Sequence, residues 1–320
     1  MNVSTPAAES ARSAAVRCLD TLRIRLMNLS RLQSLLAVSR GDTPADLFIR
    51  NAKVVNTLSY EIEKWNQGGT SFVWVKAPVL AIGNDYIRAY WGNLSVTSPP
   101  AYTTNGATWA DGFKGVWHMD QTNDTDSTSG RHNGTVYGTI DSTNGVVGPA
   151  NNFDRATDDH LRVPDSPDFT LSGDYTLSAW VYVHAWSGNQ GIMNSRANTG
   201  GGFKGWGLGL RDNNAPFVEV ENSGGTYTWE SGASFADDVW KHVAYTRSGS
   251  EGIFYVDGAA VASVGTAQST GDGGILGIES SWGDHGGYRW DGLFDELRVE
   301  TVKRSGNWIW ACLLNQGVNS

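Results

Sequence analysis

The chain has 320 residues, with 39 glycines and 14 tryptophans but only 18% charged residues, and its formal net charge is −9. An acidic surface disfavours binding to nucleic-acid phosphates and suits neutral glycans or bound cations as partners. No apolar run reaches the roughly 18 residues of a membrane-spanning helix, and the N-terminus lacks the basic-then-apolar layout of a signal peptide.

Residues 1–44 differ in composition from the rest of the chain. They hold six arginines against three acidic residues, and leucines recur at roughly helical spacing between residues 22 and 36. This pattern predicts a helical arm, which either packs on the protein or binds a partner.

Residues 45–97 are predicted to form a small β domain. The segments 71–76 and 86–91 alternate apolar and polar residues, with Pro78 and Gly83-Asn84 as turn residues between them. Residues 98–112 are polar, contain a Pro-Pro pair and are predicted to be a linker.

Residues 113–320 are predicted to be all-β. Short strands separated by glycine turns are expected at 115–119, 176–183, 206–210, 217–221, 241–247, 252–256 and 293–299. With no helical period in about 200 residues, this pattern is typical of a two-sheet sandwich or jelly roll. Cys18 and Cys312 lie near opposite ends of the chain and are expected to be unpaired thiols, although a disulfide between them stays open.

Residues 113–320 resemble a laminin-G-like, concanavalin A-like jelly roll. The motifs that carry the resemblance are GVWHMD at 115–120, DSTSG at 126–130, NGT at 133–135, NFD at 152–154, YTLSAWV at 175–181, WKHVA at 240–244, FYVDG at 254–258 and WDGLFDELR at 290–298. More weakly, YEIEKW at 60–65, VWVK at 73–76 and YWGN at 90–93 are similar to a small β domain of unknown function from bacterial surface proteins. The resemblance implies an extracellular or cell-surface protein, and a last strand that closes the jelly roll against its beginning.

The resemblance also implies a structural calcium ion, Ca2+. An aspartate of the last strand and groups near the first strand hold this ion in related sandwiches, and Asp295, Asp120 and Asp154 match those positions. Calcium requires several oxygen ligands, so the alternative is that these residues are hydrogen-bonded aspartates in turns.

Tryptophans beside glycine-rich, polar segments are candidate platforms for sugar rings, because an exposed aromatic face stacks on a pyranose. The candidates are Trp186, Trp206, Trp229, Trp282 and Trp290, together with Asp284 and His285 in the loop of Trp282. The alternative for each tryptophan is packing in the core.

Glu219 and Glu221 are two residues apart on a predicted strand and are therefore expected on one face. Their backbone separation, about 6–7 Å, is compatible with the roughly 5–5.5 Å carboxyl spacing of retaining glycosidases. The Glu-x-Asp-x-x-Glu signature of laminarinase-type hydrolases is absent, and a solvated strand edge is the alternative.

Three functions follow as hypotheses. The first is recognition of a polysaccharide by a lectin-like module, the second is a polysaccharide-degrading glycosidase or lyase on the same sandwich, and the third is a structural adhesin module. The fold alone does not choose between them.

Overall fold

The computed structural model describes residues 33–39, 48–51, 57–65, 70–77, 87–90, 97–120, 125–157, 159–184, 188–198, 203–271, 273–278 and 288–317. The chain divides into two compact units, one of residues 1–110 with 314–319 and one of residues 111–313. No helix among the described residues is long and apolar enough to cross a membrane.

The first unit contains two small antiparallel sheets. Its strands are β1 (Gln33–Ser39), β2 (Phe48–Asn51), β3 (Tyr60–Lys64), β4 (Thr70–Lys76) and β5 (Ile87–Tyr90). Strand β4 lies between β1 and β3, and β2 pairs with β5.

The described parts of the predicted arm and of the predicted linker have the following local structure. The described part of the predicted helical arm, Gln33–Ser39, is a strand in full antiparallel register with β4, while residues 1–32, including Cys18, lie outside the described residues. The predicted linker contains two 3-10 helices, Ala101–Thr103 and Ala107–Trp109. Its aromatic residues pack on the sheet, because Tyr102 contacts the ring of Tyr60 and Trp109 lies 5.2 Å from Trp74 between ring centroids.

The second unit is a sandwich of two antiparallel sheets, which confirms the predicted fold class. Each of the seven predicted strands overlaps an observed one. The strands are β6 (Phe113–Trp117), β7 (Thr135–Tyr137), β8 (Asp141–Asn144), β9 (Pro149–Phe153), β10 (His160–Val163), β11 (Tyr175–Val183), β12 (Gln190–Asn198), β13 (Phe203–Leu210), β14 (Pro216–Asn222), β15 (Gly225–Glu230), β16 (Lys241–Ser248), β17 (Glu251–Val256), β18 (Ala259–Val264), β19 (Leu276–Ile278) and β20 (Gly292–Glu300).

The order in the seven-stranded sheet is β15-β14-β13-β12-β19-β10-β7. The order in the eight-stranded sheet is β18-β17-β16-β11-β20-β9-β8, and β6 pairs with β20 beside β9. The apolar residues of both sheets that point inward form one buried core. Burial of this shared core drives the two sheets together.

Strand β20 connects three strands. It pairs with β11 along one edge, and along the other edge with β9 near its start and with β6 near its end. The pairing with β6 confirms that the last strand closes the jelly roll against its beginning. A register shift in the pairing with β11, together with the left-handed Glu296 (φ 55°), lets both Phe294 and Leu297 reach the core.

Asp126 organises the turn between β6 and β7. Its Oδ1 accepts hydrogen bonds from the backbone N–H groups of Val116 (3.0 Å) and Thr128 (2.9 Å), and its Oδ2 accepts from the Thr128 hydroxyl (2.7 Å) and the His132 N–H (2.8 Å). This buried carboxylate explains why an aspartate opens the DSTSG motif.

A helix, α1 (Gly306–Gly317), follows the last strand, although no helix was predicted within residues 113–320. An added Cβ at Gly258 would lie 3.0 Å from the Trp310 Cα, so the turn between β17 and β18 approaches the helix closely. Cys312 on this helix is a free, buried thiol, and burial raises its pKa to about 11.

Candidate functional site

The register of the seven-stranded sheet separates its core face from its outer face. One line of directly opposed residues crosses the sheet on the core side and consists of Leu161, Ile278, Met193, Leu208 and Val218. All five belong to the buried core. Side chains alternate between faces along a strand, so the neighbours of these residues lie on the outer face.

We call the corresponding line on the outer face the outer row. It consists of Arg162 on β10, Gly277 on β19, Asn194 on β12, Gly207 on β13, Glu219 on β14 and Thr228 on β15, each directly opposite the next. Five inter-strand spacings give the row a length of about 24 Å. Polar side chains therefore alternate with glycines across the sheet.

A second polar line runs beside the outer row, two residues further along the strands. It brings Arg196, Gly205, Glu221 and Thr226 into direct opposition. Gly205 has φ 124°, and a Cβ there would lie 1.8 Å from the carbonyl oxygen of Ser195. The backbones of β12 and β13 thus approach so closely that only glycine fits at this position.

The side chain of Arg196 bridges three strands. Its Nη2 donates to Oε1 of Glu219 across β13, and both side chains are largely buried. A Cβ at Gly207 would lie 3.9 Å from the Arg196 Nε, so the arginine passes over this glycine. The absence of a side chain at Gly207 is what lets the ion pair form across the strand.

The two glutamates that were predicted as a catalytic pair lie on this outer face. Glu219 also accepts a hydrogen bond from the Thr228 hydroxyl (3.3 Å), and Oε1 of Glu221 accepts one from the Thr226 hydroxyl (2.8 Å). Glu221 is only 6% exposed, and its Oε2 has no hydrogen-bond partner. Their catalytic role stays a prediction.

An exposed aromatic residue lies at the far edge of the same face. Tyr137 on β7 is directly opposite His160, and the residue is 42% exposed. The two rings stack in parallel planes 4.8 Å apart, and the Arg162 guanidinium lies 4.5 Å from the Tyr137 ring centroid.

The tryptophans predicted as sugar platforms have different locations. Trp206 and Trp290 are fully buried in the core, so their prediction as platforms is wrong. The indole N–H of Trp206 donates to the carbonyl oxygen of Phe169 (2.7 Å). Trp229 is partly exposed on edge strand β15, parallel to Tyr227 with 5.9 Å between centroids. Trp186, Trp282, Asp284 and His285 lie outside the described residues.

The three predicted calcium ligands do not gather. Their carboxylate oxygens do not all lie within 4.8 Å of one another. Oδ1 of Asp154 accepts a hydrogen bond from the Ala156 N–H (2.7 Å), and Oδ2 of Asp295 accepts two, from Val146 (2.7 Å) and Val147 (2.8 Å). The structure therefore does not bring the three carboxylates together, and the calcium ion stays a prediction of the resemblance.

The last strand carries a buried charged network. Glu296 contacts His118 Nδ1 (2.6 Å) and Arg298 Nη2 (2.6 Å). Burial alone would raise the pKa of Glu296, but the charges and hydrogen bonds of His118 and Arg298 outweigh it and lower the pKa. Burial, reinforced by the charge of Glu296, raises the pKa of Asp295 well above its ordinary value.

Sequence reasoning did not single out Arg196, Asn194 or Tyr137. The signal available was the run FKGWGLGL at 203–210, where glycine occupies every second position. A strand with glycines along one face is typical of a site where another group approaches the backbone closely.

Comparisons with known proteins agree with this fold. Residues 155–309 match the family model of the concanavalin A-like lectin/glucanases superfamily. The second unit is therefore a concanavalin A-like jelly roll that contains the matched residues. A comparison with curated protein sequences found no match.

Three solved structures resemble the chain. Domain 4 of AbnA, an extracellular arabinanase from Geobacillus stearothermophilus in complex with arabinotriose, is 18% identical with a TM-score of 0.51, and the match covers 62% of this chain and 97% of that one. The binding domain of Paraclostridial Mosquitocidal Protein 1 is 13% identical (TM-score 0.50, 63% and 52% covered). The binding domain of Botulinum neurotoxin DC in complex with SialylT is 12% identical (TM-score 0.50, 64% and 52% covered). The chain thus spans about half the length of the two toxin domains.

Proposed function

We propose that the jelly roll binds a carbohydrate chain along the outer row of the seven-stranded sheet. The observation that carries this proposal is the register, which aligns Arg162, Asn194 and Glu219 on one face with a glycine between each pair. The guanidinium of Arg162 and the carboxylate of Glu219 offer a donor and an acceptor for sugar hydroxyls, and the intervening glycines leave the backbone within reach. Asn194 between them is only 1% exposed, so its amide supports the row rather than contacting the sugar.

Tyr137 supports the same location. Sugar-binding sites combine polar groups with an aromatic face, and Tyr137 is the most exposed of the large hydrophobic side chains that the structure describes. It lies on β7 next to Arg162, at the end of the row. An extended oligosaccharide crossing the strands would pass from this ring to the carboxylate of Glu219.

The solved structures that resemble the chain support the class of ligand. One was determined with arabinotriose and another with a sialyl-type ligand, and the arabinanase is extracellular. At identities of 12–18%, they support a sugar-binding jelly roll without indicating which sugar. We accordingly place the protein outside the cell.

A glycosidase is the second candidate. Glu219 and Glu221 lie on one face of β14 at adjacent outward positions, as a carboxylate pair requires. Each of them already accepts a hydrogen bond from a threonine of β15, which also suits a binding role.

The test measures retention and cleavage together. The protein is run by affinity electrophoresis through gels that contain arabinan, xylan, β-glucan or chitosan, and the same mixtures are assayed for released reducing ends. We expect retardation in at least one gel without cleavage, weakened by Tyr137→Ala and unchanged by Trp229→Ala, which alters an aromatic residue on the other side of the sheet. Cleavage that Glu219→Gln abolishes would establish the glycosidase instead, and the absence of both retardation and cleavage would leave a structural module.

A further inference from the structure

The buried carboxylate of Glu221 has one oxygen without a partner. Its Oε1 accepts the Thr226 hydroxyl at 2.8 Å, whereas Oε2 is buried and accepts no hydrogen bond. A buried carboxylate oxygen without a donor costs free energy that a bound donor would recover. The side chain projects from the outer face beside Gly205, where a ligand on the outer row would pass.

The charges around Glu221 do not balance. Glu219 on the outer row and Glu221 on the second polar line are two carboxylates on neighbouring lines. The guanidinium of Arg196 contacts Glu219. Arg211, the next arginine toward that edge of the sheet, pairs with Glu230 at 2.6 Å. Arg162 lies four strands away beside Tyr137. Among the described residues, Glu221 therefore forms no ion pair, whereas Glu219 and Glu230 each have an arginine partner.

From this imbalance we propose that the ligand of the outer face carries an ammonium group, and that it is a polysaccharide of deacetylated amino sugars. The proposal rests on the proposed carbohydrate function and names the ligand class. A sugar ammonium supplies both the missing donor and the missing positive charge. A hydroxyl supplies only the donor, and charge-assisted hydrogen bonds are about twice as strong as neutral ones.

A bound metal ion does not explain the same features. Hard cations require several oxygen ligands, and Glu221 presents one open oxygen. The ammonium needs only this single oxygen together with hydroxyls nearby, such as those of Thr226 and Thr228.

The experiment compares a charged oligosaccharide with two neutral sugars of the same length and with a charged peptide. Isothermal titration at a mildly acidic pH, at which the amine is protonated, measures binding of the glucosamine pentasaccharide, its fully N-acetylated form, cellopentaose and pentalysine. We expect the glucosamine pentasaccharide to bind about tenfold more tightly than the other two sugars, as one charge-assisted hydrogen bond predicts. Pentalysine should bind more weakly than the amino sugar, because it lacks hydroxyls for the outer row.

Two variants test whether the carboxylate of Glu221 causes the preference for the amino sugar. Glu221→Gln keeps an acceptor for Thr226 and removes the charge, so it should abolish the tenfold preference while retaining binding of the neutral sugars. Glu230→Gln, on the same face of the next strand but paired with Arg211, should keep the preference. Three results would each overturn the ammonium proposal while leaving carbohydrate binding in place. They are equal affinity for all three sugars, tighter binding of pentalysine than of the amino sugar, and an unchanged preference in Glu221→Gln. Binding of no sugar would overturn both, and the comparison of acetylated with free amine remains decisive even if a variant does not fold.

Discussion

Arg196 on β12 reaches across the glycine strand β13 to contact Glu219 on β14. The guanidinium passes over Gly207, and the exposed fractions of the two side chains are only 3% and 12%. This ion pair holds together the middle of the outer face, where we place the sugar. Its removal is therefore expected to affect stability as well as binding.

Replacing Arg196 with methionine would leave the carboxylate of Glu219 largely buried without its cation. We expect a loss of about 3 kcal/mol in the free energy of unfolding, because breaking one side of a buried pair is more costly than removing both. The double variant Arg196→Met/Glu219→Gln should regain more than about 1 kcal/mol. Urea denaturation measures both values, and additive losses would mean that the two side chains are not coupled.

The two central glycines of β13 should respond differently to alanine. At Gly205 the new Cβ would lie 1.8 Å from a backbone oxygen at φ 124°, whereas at Gly207 the nearest atom is the Asn194 Cβ at 3.4 Å. We expect Gly205→Ala to cost at least about 2 kcal/mol and Gly207→Ala to leave stability unchanged or slightly raised. Similar melting temperatures for the two variants would contradict this account of the close strand approach.

Asp295 accepts hydrogen bonds from two backbone N–H groups at a position where burial raises its pKa. Because its pKa is higher in the folded state than in the unfolded state, protonation of Asp295 stabilises the fold. This stabilisation is fully present below the unfolded-state pKa of about 4 and is lost as pH rises toward the folded-state pKa. Asp295→Asn lacks this titration, so its stability relative to wild type should improve as pH rises. Asp295→Ala should be destabilised at every pH, since the N–H groups of Val146 and Val147 lose their acceptor.

Thermal melting with and without calcium provides a second test of Asp295. Because Asp295 is fully buried and its Oδ2 already accepts two backbone N–H groups, a chelator should shift wild type and Asp295→Asn equally or not at all. A calcium-dependent rise in melting temperature that is present in wild type and absent in Asp295→Asn would contradict the structural account of this residue.

We expect the buried His242 to lower the stability of the protein in acid. Burial, aided by the nearby charge of Arg298 and opposed by that of Asp257, lowers its pKa to about 4. The unfolded chain takes up a proton near pH 6.5 while the folded chain does not, so stability should fall by about 3 kcal/mol between pH 7 and 4. His242→Gln should flatten that part of the pH profile. A variant whose profile parallels that of wild type would show that His242 titrates normally.

The sequence was sufficient for the fold class, because seven strands carry alternation and turn residues and the motifs resemble a known jelly roll. It was not sufficient to assign faces. Trp206 and Trp229 both lie in glycine-containing strands, yet Trp206 is completely buried in a central strand, and Trp229 is partly exposed on the edge strand. Strand order, which alternation does not encode, decides between these outcomes.

The last strand shows a second limit. Simple alternation along residues 290–299 would place Asp291 and Asp295 on one face and Glu296 on the other. The bulge at Glu296 inserts an extra residue, so Asp295 and Glu296 are both buried outside the apolar core. A left-handed glutamate has no sequence signature, since glycine or asparagine usually marks that conformation.

The central claim is that sugar binds along the outer row. It is tested most directly by placing a bulky side chain at a glycine of that row. Gly207→Leu adds a side chain where Arg196 crosses β13, while Gly173→Leu serves as the control because an added Cβ there meets no atom within 4 Å. Affinity electrophoresis in the polysaccharide that retards wild type should show retardation for Gly173→Leu and none for Gly207→Leu, with both variants folded by circular dichroism. Equal retardation of both variants would place the binding site elsewhere on the protein and contradict the account.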